Sequence, residues 1–124
     1  MGVRRRAREV ALQILYQMEV VEGSPEKVLE SFWTLHPAAP EVRAYAERLA
    51  RSTWERRELL DSLIAEASEH WSLGRMDLIA LNILRFAACE LMCFGEVPTK
   101  VVINEAVEVA KKYGTADAAP FING

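Results

Sequence analysis

The chain has 124 residues, of which 51% are hydrophobic and 27% are charged, and its formal net charge is −3. This size and balance are typical of one globular domain, here residues 1–124, with enough apolar side chains for a core that needs no metal or disulfide. A protein of net negative charge does not attract nucleic acid through its overall field, so a generally basic nucleic-acid-binding protein is excluded.

Positive charge is concentrated at one end, because Arg4, Arg5, Arg6 and Arg8 (the arginine block) precede the first acidic residue, Glu9. The first eight residues therefore carry +4, and the other 116 carry −7, against −3 for the whole chain. A compact group of arginines binds phosphates even in an acidic protein. At a helix N-terminus arginines oppose the macrodipole, which favours a functional role over a merely solvated turn.

Proline and glycine divide the chain into segments that have helical periodicity and no strand-like alternation. The first helix is predicted over residues 4–21, basic at its start and apolar on one face further along. Ser24 as N-cap and Pro25 at the first helical position begin a second helix. Its predicted inward side chains are Val28, Leu29, Phe32, Trp33 and Leu35.

Residues 36–40 form a short linker, since each proline disfavours helix for the residue before it, and Pro40 opens the third helix. From residue 41 to residue 71 there is no glycine or proline. The apolar stripe nevertheless fails to continue across residues 53–57, and we place a break between two helices there.

The stretch 76–94 is apolar nearly all round, but Asp77, Asn82, Arg85 and Glu90 interrupt it well short of the roughly 20 apolar residues of a membrane span. It predicts a buried central helix. Arg85 and Glu90 are expected to make internal polar contacts, because unpaired buried charges are costly. With no recognisable targeting segment, we expect the protein in the cytoplasm and off the membrane.

A strongly patterned helix is predicted over residues 100–113, with Gly114 as its stop. Residues 115–124 should begin one more helix. Every predicted element is helical, so the expected fold class is all-α, as one domain with two sub-bundles.

Candidate catalytic groups are few. Cys89 and Cys93 lie in the most apolar stretch, where reduced core thiols are favoured over a disulfide or metal pair. His36 and His70 lie far from both cysteines and in no catalytic motif. We expect a binding protein rather than an enzyme, with no metal and no cofactor.

The opening RRRAREVALQILYQ (residues 4–17) and the later block INEAVEVAKKYGT (residues 103–115) resemble the NusB family of bacterial transcription antitermination factors. The opening RRRAREVALQILYQ, residues 4–17, is similar to the arginine-rich start and first helix of that family. Further similar blocks, in family order, are WSL (71–73), ILR (83–85), EL (90–91), VP (97–98), INEAVEVAKKYGT (103–115) and FING (121–124).

The resemblance implies two antiparallel three-helix bundles and an activity without catalysis. It also implies a heterodimer with NusE, a small-subunit ribosomal protein, that binds boxA RNA of ribosomal RNA leader transcripts. That pair would act within the RNA polymerase antitermination complex.

The resemblance also implies a set of site residues. The arginine block matches the RNA-contacting arginine motif, Phe121 matches an aromatic residue on which a base could stack, and Asp117 matches an acidic position that accepts hydrogen bonds from a base. Core packing for Phe121 and helix capping for Asp117 are the structural alternatives. On the central helix, the face with Leu78, Ala80 and Leu81 would meet the protein partner.

The chain departs from the family pattern in three places. Residues 79–82 read IALN where the family commonly has an acidic group, which changes the partner face. Ala118 and Pro120 stand where the family often has serine and lysine, so one basic RNA contact is missing. The sequence stops at Gly124 where the family continues, so the last helix is expected to be truncated.

Two other functions remain open from the sequence. One is the NusB-like RNA-binding domain of an rRNA cytosine methyltransferase, although these 124 residues contain no methyltransferase domain. The other is a helical protein-interaction module without RNA binding, including a homodimer in the free state. Removal of the arginine block would abolish RNA binding by an antitermination factor, and it would change little in a helical interaction module.

Overall fold

The computed structural model of the chain describes residues 2–21, 23–67 and 77–113. All regular secondary structure in these ranges is helical, which confirms the all-α expectation. The predicted helix at residues 115–124 and its truncation, Gly114 and His70 lie outside the described residues. The helices are α1 (Val3–Val20), α2 (Pro25–Leu35), α3 (Pro40–Glu55), α4 (Arg57–Ala67), α5 (Leu78–Cys93) and α6 (Thr99–Tyr113).

Local signals set the helix ends as predicted. Ser24 is the N-cap of α2, and its hydroxyl oxygen accepts a hydrogen bond from the Lys27 backbone N–H at 3.3 Å. Pro40 is the first residue of α3. The predicted break is also confirmed, because α3 ends at Glu55 and Arg56 separates it from α4.

The core is built around α1, α3 and α5, each of which packs against the other two. Helix α2 covers α1, whereas α4 and α6 both pack against α5, which is the central helix that the sequence predicts. Because α1 and α3 contact α5 as well as each other, the described helices do not separate into two groups of three. The division into two three-helix bundles therefore stays a prediction. None of the described helices has the length and apolar character needed to cross a membrane.

Two burial predictions are wrong. Leu35 is 74% exposed, because it is the last residue of α2 and the chain leaves the core there for the proline linker. Cys93 is exposed at the end of α5, so of the two cysteines only Cys89 is a core thiol. Burial raises the pKa of Cys89 to about 11, which keeps this thiol protonated at neutral pH.

Arg85 makes the internal contacts predicted for it. Its guanidinium donates to both carboxylate oxygens of Asp61, at 2.7 and 2.8 Å, and to Glu19 Oε1 at 2.8 Å. These contacts join α5 to α4 and to α1, and they satisfy a charge that would be costly to bury alone.

The different burial of two leucines predicts different costs for one substitution. Leu49 is fully buried on α3, so Leu49→Ala should lower the free energy of unfolding by about 2–5 kcal/mol through lost burial and the cavity it leaves. Leu35→Ala, the matched control at an exposed site, should change it by less than about 0.5 kcal/mol. Denaturant unfolding followed by circular dichroism measures both, and equal losses would contradict the exposed position of Leu35.

Candidate nucleic-acid interface

The arginine block occupies the first two turns of α1, and its members point in different directions. Arg4 and Arg6 are exposed, and the Arg5 side chain is 40% exposed. We call these three the outer arginines. The Arg8 side chain is only 2% exposed. Arg8 shares a face of α1 with Arg4, but it lies one turn further along the helix, where that face enters the core.

Arg8 forms a bidentate ion pair with Glu90 of α5. Arg8 Nε and Nη2 donate to the two carboxylate oxygens at 2.7 and 2.8 Å. Burial alone would lower the pKa of Arg8, but the hydrogen bonds and charge of Glu90 outweigh it and raise that pKa. Arg8 is therefore a buried cation in this structure, and its contact with RNA stays a prediction, whereas the internal role predicted for Glu90 is confirmed.

Tyr45 of α3 completes this buried cluster. Its hydroxyl donates to Glu90 Oε2 at 3.0 Å, so one carboxylate joins α1, α3 and α5. Burial, together with the charge of Glu90, raises the pKa of Tyr45 to about 12. The ring of Tyr45 also faces the Arg4 guanidinium carbon, 5.1 Å from the ring centroid, which is a cation–π distance.

Glu9 fixes the other side of α1 against α6. Its carboxylate is buried and accepts hydrogen bonds from Lys112 Nζ at 2.8 Å and the Tyr113 hydroxyl at 2.9 Å. Arg6 Nη1 lies 3.6 Å from the same oxygen. Burial would raise the pKa of Glu9, but the hydrogen bonds from Lys112 and Tyr113 hold it below its usual range.

Arg5 is paired with a carboxylate from α6. Arg5 Nε and Nη2 donate to the two carboxylate oxygens of Glu105 at 2.7 and 3.1 Å. This hydrogen-bonded pair raises the pKa of Arg5. The pair is part-buried and lies beside a cleft of about 510 Å³, the arginine cleft. The cleft is lined by Gly2, Arg4, Arg5, Arg8, Val97, Pro98, Val101 and Glu105.

This arrangement suits a polyanion at one end of the molecule. The outer arginines present guanidinium groups whose planar forks match phosphate oxygens. Lys111 and Lys112 lie at the end of α6, next to Arg5 and Glu9 in a second cleft. The backbone under these cations is held by the two buried carboxylates, Glu9 and Glu90, so a ligand meets cations that are already positioned.

The remaining sequence-predicted site residues lie elsewhere. Asp117 and Phe121 are outside the described residues. On α5, Ala80 and Leu81 are buried and Leu78 is half-buried. Ala80 and Leu81 are thus buried in this structure, and their role in binding the protein partner stays a prediction.

The acidic partners of the arginine block were not predicted from the sequence. Glu105 has no local signal, since it lies 100 residues from Arg5 in the chain. Glu9 has one local signal, its i, i+3 spacing from Arg6, but its contact with Lys112 spans 103 residues. For Glu105 the sequence cue is the excess of acidic residues beyond the arginine block.

The buried Arg8–Glu90 pair predicts a large loss of stability when only one charge is removed. Glu90→Gln should lower the free energy of unfolding by about 3–5 kcal/mol, because Arg8 would stay buried without a counter-charge. The double substitution Arg8→Met with Glu90→Leu should recover most of that loss. Chemical denaturation measures both, and Glu96→Gln, which removes the exposed partner of Arg48, is the control that should change little.

Comparisons of the sequence with known proteins identify its family. The family model described as "NusB family" matches residues 5–124. The transcription antitermination protein NusB of Trichlorobacter lovleyi is 44% identical over all of this chain and 87% of its own length. That of Geobacter sulfurreducens is 45% identical, over all of this chain and 91% of its own length.

Solved structures of similar proteins have the same fold. A structure of T. maritima NusB matches with a TM-score of 0.86 and 34% identity, covering 98% of this chain and 85% of that one. A structure of the antitermination factors NusB and NusE in complex with dsRNA matches with a TM-score of 0.85 and 26% identity, covering 100% of this chain and 92% of that one. The chain therefore belongs to the NusB family of transcription antitermination proteins, which are not enzymes.

Proposed function

We propose that this protein binds boxA RNA of ribosomal RNA leader transcripts as a heterodimer with NusE, and thereby helps RNA polymerase to resist termination in the cytoplasm. The observation that carries the proposal is the display of Arg4, Arg5 and Arg6 on the first turns of a helix that buried contacts hold in place. Antitermination is the activity for which the similar proteins are named.

The RNA-binding part of the proposal is supported by the separation of charge. The chain as a whole is acidic, so RNA is attracted only where cations are grouped. Arg4, Arg5 and Arg6 provide that group, with Lys111 and Lys112 beside it. Asp117 and Phe121 remain proposed contacts to bases, through hydrogen bonding and stacking respectively.

NusE as the protein partner is supported by a similar structure, because the match to the solved complex of NusB and NusE with dsRNA covers all of this chain. Exposed apolar side chains of α5 are candidates for the surface that contacts NusE. Leu91 and Met92 are exposed, and with the half-buried Leu84 and Ala88 they follow one face of the helix. We propose that this apolar stripe binds NusE, with Leu78 at the other end of the same helix.

Removal of the outer arginines should reduce the salt dependence of RNA binding. If each contacts one phosphate of a single strand, replacement of Arg4, Arg5 and Arg6 by alanine should lower the log–log salt slope by about 2.1 units, at about 0.7 per contact. The measurement is fluorescence anisotropy with labelled boxA RNA across a salt series, with and without NusE.

A matched control is the triple alanine variant of Arg43, Arg56 and Arg57, which removes the same charge from α3 and its junction with α4. It should leave the slope nearly unchanged. Equal effects of the two triple variants would show that net charge, and not the arginine block, governs RNA binding.

The apolar stripe predicts a separate loss of NusE binding. Leu91→Ser with Met92→Ser should weaken NusE binding by about tenfold or more, because apolar area would no longer be buried in the complex. RNA binding by the variant alone should stay at the wild-type level. Val20→Ser with Leu35→Ser, at exposed apolar positions on α1 and α2, is the control. Calorimetric titration with NusE measures the affinity of both double variants. An undiminished affinity of the Leu91→Ser, Met92→Ser variant would contradict NusE binding at the apolar stripe.

A further inference from the structure

The arginine cleft combines two surfaces that an RNA nucleotide requires. Arg4 and Arg5 are among its lining residues and contribute positive charge. Pro98 and Val101, both exposed, line the same cleft and contribute apolar surface. The volume of about 510 Å³ lies within the ~300–1,000 Å³ typical of small-ligand clefts. A charged phosphate and an apolar base face could therefore be held together here.

Glu105 occupies the guanidinium fork that faces this cleft. It accepts both hydrogen bonds from Arg5, at 2.7 and 3.1 Å. Carboxylate and phosphate use the same bidentate geometry on arginine, so the two anions compete for one fork. Glu105 therefore uses the two Arg5 hydrogen bonds whose geometry also fits a phosphate.

We propose that the arginine cleft is a nucleotide subsite of the RNA-binding surface, in which a backbone phosphate displaces Glu105 from Arg5 and the base packs over Val101 and Pro98. The inference rests on the proposed RNA-binding function and adds to it a defined position for one nucleotide. It also gives Glu105 the role of an internal competitor that lowers RNA affinity.

The energetics of the two arginine–carboxylate pairs favour this exchange at Arg5 alone. The Arg5 and Glu105 side chains are 40% and 19% exposed, and such partly solvated pairs contribute little to stability. The Arg8 and Glu90 side chains are 2% and 0% exposed, and separating that pair would leave two uncompensated buried charges. A ligand can therefore take Arg5 from its partner without disturbing the core.

The phosphate part is tested by Glu105→Gln in the full chain. It should bind labelled single-stranded boxA RNA about two- to fivefold more tightly than wild type at low salt, because Arg5 is no longer held by a charged partner. The gain should vanish when Arg5→Ala is added, since the effect acts through that arginine. Glu58→Gln removes the same charge from an exposed position on α4 that lines neither cleft, and it should give little gain.

The base part is tested by Val101→Ser, which removes apolar surface from the cleft wall. Binding should weaken about threefold, and the loss should disappear with RNA in which the base seated there is replaced by an abasic site. Val20→Ser is the matched control, because Val20 is also an exposed valine but lies at the opposite end of α1. Thermal unfolding of every variant confirms that it is folded.

The outcomes separate this inference from the proposed function. If the outer arginines are required for RNA binding but Glu105→Gln gives no gain, or gives one that Glu58→Gln or the Arg5→Ala background reproduces, the subsite is overturned and the function stands. An unchanged affinity of Val101→Ser overturns the placement of the base. If no variant and no wild-type protein binds RNA, alone or with NusE, both are overturned.

Discussion

The buried ion pair between Arg8 and Glu90 is the contact on which the arrangement of the basic end depends. Two charges that are separately expensive to bury satisfy each other through two hydrogen bonds, and Tyr45 provides a third to the same carboxylate. Because these residues belong to α1, α5 and α3, the pair fixes the first helix against both other helices at the centre of the core. The outer arginines therefore extend from a helix whose direction is set by buried chemistry.

One short basic segment thus performs two tasks, and helical geometry divides them. Residues four apart share a face, so Arg4 and Arg8 both lie near Tyr45, at 5.1 and 5.8 Å from its ring centroid, while Arg5 and Glu9 both face α6. Near the helix start, the side chains lie where the core ends and solvent begins. Further along, the same faces become buried, and Arg8 and Glu9 become structural.

The local part of this fold could be predicted from sequence because its causes are local. Ser24 with Pro25 begins one helix, Pro40 begins the next, and the interrupted apolar stripe marks the break at Arg56. The site was harder, because four neighbouring arginines look equivalent in sequence. What distinguishes Arg8 from Arg4 is Glu90, 82 residues away, and what distinguishes Arg5 is Glu105. Ala80 and Leu81 show the same difficulty, since an apolar residue at the start of a helix can face either a partner or the core.

Burial of the whole ion pair, arginine and carboxylate together, decides which arginines remain available to RNA. A phosphate can replace a carboxylate on arginine only where the exchange costs little. Water stabilises the released carboxylate at a partly exposed pair such as Arg5–Glu105, whereas nothing replaces the lost partner at Arg8–Glu90. In an acidic chain, carboxylates that accompany binding arginines also discourage weak contacts with single phosphates. A ligand that brings several phosphates in the correct geometry can still displace them, so the acidic partners favour an extended polyanion over a small one.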